Sequence, residues 1–163
     1  MRRHLQTERA LRAGRLEEIP EALATQPGFP NVDEPYTGTP LMALAISWAP
    51  ATAVADLVRQ GGDVNFTALD GFPALLGAVM SGREDRVELV RVLAEAGADL
   101  ERRGINGWTP LHAAASQNDA HLVRVLLELG ASPEARTGVD DDATPLEEAE
   151  RVGAAQAAEL LRA

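Results

Sequence analysis

Apolar and polar positions in this chain come in blocks. Leu111 and Ala113-Ala114-Ala115 form a run of small and apolar residues, Ser116 to Asp119 is polar, and Leu122-Val123-Arg124-Val125-Leu126-Leu127 resumes with apolar residues three and four apart. Residues at that spacing share one face of a helix, so the segment predicts helix, turn, helix. The second helix ends at Gly130, as equivalent segments end at Gly61 and Gly97. A left-handed residue is wanted just past a helix end, and glycine adopts that conformation at least cost. A short polar connector follows each glycine.

The block recurs. Thr39-Pro40-Leu41, Pro73-Ala74-Leu75, Thr109-Pro110-Leu111 and Thr144-Pro145-Leu146 stand 34, 36 and 35 residues apart. Threonine is a good N-cap, its hydroxyl accepting from an unpaired backbone N–H, and proline suits the first helical position, so Thr-Pro predicts a helix start. Glu147, three residues after Thr144, has the spacing of a capping box. Pro73 lacks the hydroxyl, which predicts a weaker start. From motif start to terminal glycine the units measure 22, 24 and 21 residues, which places a longer inter-helix loop in the middle unit, near Gly82 to Asp85.

Residues 107 to 131, Gly-Trp-Thr-Pro-Leu-His-Ala-Ala-Ala through Leu-Leu-Glu-Leu-Gly-Ala, resemble the consensus of the ankyrin repeat, including its Thr-Pro-Leu-His core. Gly71 to Asp99 and Thr37 to Asn65 resemble it with departures: Leu76 and Met42 replace the motif histidine, and Trp48 stands where the inter-helix glycine is usual. Arg9 to Leu16 resembles the helix-break-helix part without the opening motif, and the last unit stops inside its second helix. The resemblance covers the chain as one domain, 1–163, in five units: 1–34 as N-terminal cap, 35–68, 69–104, 105–137, and 138–163 as C-terminal cap. It implies an all-α repeat solenoid of stacked helix-turn-helix units joined by short, extended, hairpin-like connectors.

Composition narrows the function. With no cysteine among 163 residues, disulfides, thiolate metal sites and cysteine nucleophiles are excluded. A net charge of −10 repels a phosphate backbone, which argues against a nucleic-acid partner. Residues 138 to 163 hold 7 acids against 2 Arg, a polar end suited to capping a stack. All fifteen basic residues are Arg and none is Lys, which suggests a GC-rich, bacterial genome. There is no run of eighteen apolar residues and no apolar leader after Met1-Arg2-Arg3, so a cytoplasmic protein with no membrane partner is expected.

Chemistry is sparse. The resemblance gives His112 a turn-fixing role, while His121 is not at the spacing of a paired metal ligand and His4 is near the terminus. Glu17-Glu18 and Glu147-Glu148 read as solvated helix charges, and Asp140-Asp141-Asp142 as a solvated loop without the glycine and terminal Glu of a calcium loop. No catalytic residue, cofactor or metal is expected. The expected function is a protein-interaction module, an inhibitor or adaptor, acting as a monomer on a partner that carries a basic surface. A scaffold subunit of a larger complex is the alternative, and an enzyme or ligand-binding protein with an unrecognised site ranks below it.

Resemblance implies that the connector tips and the ends of the first helices face the concave side of the stack. Those positions are Pro35, Tyr36, Ile46 and Ser47; Leu69, Asp70, Phe72, Met80 and Ser81; and Ile105, Asn106, Trp108, Ser116 and Gln117. Tyr36, Phe72 and Trp108, three of the six aromatic residues, recur at intervals of 36 and are expected to align in the stack. Phe66 and Leu100 are read as packing between units, and Trp48 as a wedge beside Pro50.

Overall fold

The structure is a computed structural model that describes residues 2–68, 70–104, 106–138 and 142–163, with side chains from Leu5 onward. Its helices pair in chain order. The first pair is α1 (Arg2–Arg12) with a 3₁₀ turn (Leu16–Glu18) and the single turn α2 (Glu21–Ala24). Next come α3 (Leu41–Trp48) with α4 (Ala51–Arg59) and α5 (Ala74–Met80) with α6 (Arg86–Glu95). The last pairs are α7 (Pro110–Ser116) with α8 (Ala120–Glu128), and α9 (Pro145–Val152) with α10 (Ala155–Leu161).

Stacking follows the repeat. The first helices α1, α3, α5, α7 and α9 pack each on the next, and α4, α6, α8 and α10 form the second layer. Alanine and leucine between the layers make one continuous cluster, with Leu11, Leu57, Leu89, Leu111 and Leu126 at 0% exposure. No unit could bury such a face alone, so each neighbour supplies the wall that the last one lacks. Among the described residues there is no strand; the connectors carry only the isolated bridges Asp33–Pro40 and Thr67–Pro73.

The glycine punctuation acts as expected. Gly61, Gly97 and Gly130 have φ of +95°, +90° and +100° and close the second helices with paired backbone bonds, such as Gly61 N–H to Val58 O and Gly62 N–H to Leu57 O. The Thr-Pro reading holds for two units. Thr109 and Thr144 cap α7 and α9 through full capping boxes, His112 and Glu147 completing them. In α3, however, Pro40 itself is the N-cap and Thr39 makes no capping bond. The tip preceding it closes from Glu34 N–H to Thr39 O, one residue longer than the 68–72 tip, so the motif has slid by one residue.

Among the described residues two carboxylates are buried, and one of them departs from the surface reading. Glu148 is 3% exposed and bound by Arg151 through Nε at 3.0 Å, so of the Glu147-Glu148 pair only Glu147 is on the surface. Its place on the inward side of α9 lets Arg151, from the next turn, fold over it. Glu34 is 1% exposed and accepts from the Tyr36 and Thr37 N–H groups at 3.0 and 2.9 Å and from the Thr37 hydroxyl at 3.0 Å. It builds its own tip. The Asp140 and Asp141 part of the acidic run lies outside the described residues.

The long middle loop has a structural task. Trp48-Ala49-Pro50 cannot offer the left-handed residue, Gly14, Gly82, Asn118 or Gly153, that follows the other first helices, and Arg83 reaches back to fill the gap. Its guanidinium donates to Ile46 O at 2.8 Å and to Ala49 O, and it is held by Asp85 at 2.8 Å. Asp85 in turn accepts from Ala51 N–H at 2.9 Å, at the start of α4. Trp48 is half-buried against the core cluster, and the Arg12 guanidinium lies 5.0 Å from its ring centre.

Candidate functional site

Two of the connector tips share one construction. Ala68 N–H donates to Phe72 O at 2.9 Å and Gly104 N–H to Trp108 O at 3.0 Å. Asp70 and Asn106 accept from the N–H two residues on, at 3.1 and 3.3 Å, and Gly71 and Gly107 take φ of +82° and +76°. An Asx side chain followed by glycine is the chemistry a tight turn needs, because one satisfies the backbone and the other accepts its φ. Phe72 and Trp108 therefore close equivalent turns. Both are half-buried against the core cluster.

Tyr36 does not align with them. Counting from the donor that opens each turn, Tyr36 stands two residues after Glu34, as Asp70 and Asn106 stand after Ala68 and Gly104. The interval of 36 is thus a coincidence of the slid first motif. Tyr36 is 56% exposed and, with Pro35, borders a small cleft of about 110 Å³ against Pro20 and Leu23.

A larger groove of about 250 Å³ lies between α3 and α5, and Phe66, Ala68, Asp70 and Phe72 of the connector between α4 and α5 also line it. Ala43, Ala74 and Gly77 leave the space because they are small. Ile46, Phe66 and Phe72 supply apolar surface, and Ser47, Ser81 and Asp70 the polar groups. Ile46 belongs here although it is only 6% exposed: it lines the groove without standing out from it. Ser47 and Ser81 donate their hydroxyl protons to Ala43 O and Ala78 O, at 2.8 and 2.7 Å.

Of the other expected positions, Met80 is 42% exposed on α5 beyond the groove, and Asn106 and Gln117 are exposed in the next unit. Ser116 is half-buried and bonded to Ala113 O at 3.0 Å. Leu69 and Ile105 lie outside the described residues. The structure thus gathers Ile46, Ser47, Asp70, Phe72 and Ser81 at one groove, and spreads Tyr36, Met80, Asn106, Trp108, Ser116 and Gln117 along the same row of units. Sequence reasoning missed Ala43, Ala74 and Gly77 and set Phe66 aside as packing. Gly77 was the available signal, since a glycine inside an apolar helical block has no turn to make.

Beside the groove, backbone and side chains are tied from unit to unit. Asn31 and Asn65 each clamp the next glycine turn: Nδ2 donates to Gly61 O at 2.8 Å and to Gly97 O at 2.9 Å, while Oδ1 accepts from Asp63 N–H at 2.6 Å and Asp99 N–H at 2.8 Å. His112, fully buried, accepts at Nδ1 from Thr109 N–H (3.2 Å) and Oγ1 (2.8 Å), which leaves Nε2–H to donate to Ala143 O at 2.9 Å. Burial lowers its pKa against the raising effect of that carbonyl. Leu76, in the preceding unit, instead packs against Gly104, where its Cδ2 lies 2.6 Å from the place a Cβ would occupy.

Among the described residues no group of three His, Cys, Asp or Glu could hold a metal ion, and no helix is long and apolar enough to cross a membrane.

Comparison with known proteins agrees with this architecture. The sequence pattern of ankyrin repeats, in three copies, matches residues 75–163. An ankyrin repeat-containing protein of Treponema pallidum is 34% identical over 107 residues, 65% of this chain and 35% of that protein. Mouse protein phosphatase 1 regulatory subunit 27 is 42% identical over 72 residues, 44% of this chain and 43% of its own length. The protein PhlB of Serratia liquefaciens is 35% identical over 119 residues, 69% of this chain and 48% of that one. The chain thus spans less than half the length of each of these relatives.

Proposed function

Since the chain belongs to the ankyrin-repeat family, we propose that it is a non-catalytic interaction module whose protein partner docks on the face formed by the connector tips and first helices. The observation that carries this reading is the groove between α3 and α5, an open apolar recess on that row of the stack. Tyr36, Ile46, Leu69, Asp70, Phe72 and Met80 form one half of the docking face, and Ile105, Asn106, Trp108, Ser116 and Gln117 the other. Aromatic anchors beside apolar recesses are where binding energy concentrates in protein interfaces. A relative named as a regulatory subunit of a phosphatase supports a role in controlling a bound protein, as inhibitor or adaptor. The charge of −10 favours a partner with a basic surface and disfavours nucleic acid. On this reading the protein works in the cytoplasm as a monomer.

The test is affinity capture from the native lysate with the wild type and a Phe72→Ala, Trp108→Ala double variant, whose fold is verified by circular dichroism. Loss of one enriched protein in the folded double variant is the expected result. Undiminished capture would move the partner to another face and reduce both rings to packing.

A further inference from the structure

The groove between α3 and α5 has an unusual inventory of hydrogen-bonding groups. Both serine protons are committed to carbonyls of their own helices, so Ser47 and Ser81 present only oxygen lone pairs, one of those on Ser81 taken by a long bond from Arg83 N–H at 3.5 Å. Asp70 accepts from Phe72 N–H through Oδ1, and its Oδ2 has no partner among the described residues. The Arg83 guanidinium, on the same unit as Ser81, is taken up by Asp85 and the Ile46 and Ala49 carbonyls. The lining side chains therefore accept hydrogen bonds, carry one negative charge and offer no free donor. An occupant must bring the donors.

Size and shape narrow it further. About 250 Å³ suits one long side chain better than a metabolite, whose pockets run from roughly 300 Å³ upward. Two phenyl rings, Phe66 and Phe72, border a space otherwise walled by Ile46 and small residues. A flat cation with several N–H groups can lie on such rings and reach three separate acceptors at once, which a compact ammonium cannot do.

Gly77 is an independent pointer. It sits inside α5, where glycine weakens a helix, yet it has no left-handed φ, and apart from its own helix backbone nothing lies within 4 Å of the place its Cβ would take. Neither conformation nor packing within this chain calls for glycine there. A side chain at 77 would occupy the groove.

We infer that the groove is a socket for an arginine side chain of the partner, with Asp70, Ser47 and Ser81 receiving the guanidinium and Phe72 stacking on it. The inference rests on the interaction-module reading and adds the chemistry of the anchor. Long-range attraction between a chain of net charge −10 and a basic partner would bring the arginine to the socket.

The experiment is an NMR titration of the full ¹⁵N-labelled chain with Ac-Gly-Arg-Gly-NH₂, and in parallel with its lysine, norleucine and glutamate counterparts. The expected result is saturable shifts at Ser47, Asp70, Phe72, Gly77 and Ser81 with the arginine peptide. Binding should be at least about fivefold weaker with lysine or norleucine and undetectable with glutamate. Gly77→Leu should remove the shifts while melting no lower than the wild type, and Asp70→Asn should weaken binding about fivefold. Absence of saturable shifts, equal binding of norleucine, or unchanged binding to Gly77→Leu overturns the socket. If the socket fails while the Phe72→Ala, Trp108→Ala variant still loses its captured partner, the interaction-module reading survives and only its arginine anchor is wrong.

Discussion

His112 is the residue whose titration the fold feels most directly. Its ring is neutral in the folded state because Nδ1 must accept from Thr109, and burial lowers its pKa below the ordinary 6.5. The unfolded chain binds that proton more readily than the folded one. Stability from this residue is therefore complete above about pH 6.5 and declines as pH falls from there toward the folded pKa. Urea midpoints measured at pH 8 and pH 5 should fall in the wild type by more than in His112→Gln. An equal fall in both would mean that the loss comes from other groups. Asp119 belongs to a lower window: burial would raise its pKa, but Leu122 N–H and Arg86 outweigh it, so its contribution fades only in the carboxylate range.

Individual helices owe their ends to neighbours as much as to themselves. Arg83 belongs to one unit but finishes α3 of the previous one, and Asp85 starts α4. The guanidinium holds the Asp85 carboxyl below its usual range. Arg83→Ala should cost roughly 1–3 kcal/mol, the typical penalty for leaving buried carbonyls unsatisfied, and speed hydrogen exchange in Ala49 to Val54. Unchanged exchange there would show that the clamp is ornamental.

Glycine acts as a cap after α4 and leaves a vacancy inside α5. Gly61→Ala forces a Cβ at φ +95° and should destabilise by about 1 kcal/mol. Gly77→Ala, in open space inside α5, should stabilise by a similar amount, about 0.5–1 kcal/mol. Opposite signs in denaturant melts are the expected outcome.

At the scale of the whole molecule, stability is a sum of units and of the bonds between them. Asn65 binds the Gly97 carbonyl and the Asp99 N–H of the next unit, so Asn65→Ala removes a tie between neighbours while leaving both helix pairs intact. It should lower stability by about 2 kcal/mol and broaden unfolding between the α3–α4 and α5–α6 pairs, read as probe-dependent transitions. A single sharp, unshifted transition would mean that the connector ladder contributes nothing to the coupling.

The repeat was legible in the sequence because its physics is local. Helix blocks, terminal glycines and capping boxes each need only a few neighbouring residues, and Gly61, Gly97, Gly130, Thr109 and Thr144 act as their residue types require. What the sequence could not decide depended on the length of a connector tip, on the way a helix turned in the stack, or on partners about one repeat away. Pro40 became the N-cap because the tip before it is one residue longer, which also took Tyr36 out of line with Phe72 and Trp108. Glu148 went inside because α9 turned it inward with Arg151 folded over it, and Arg83 became a clamp because the preceding unit lacked a glycine turn. The groove belongs to this second class. Ala43, Phe66, Phe72 and Gly77 are ordinary residues of two different units, and only stacking, which sets those units side by side, makes them walls of one space.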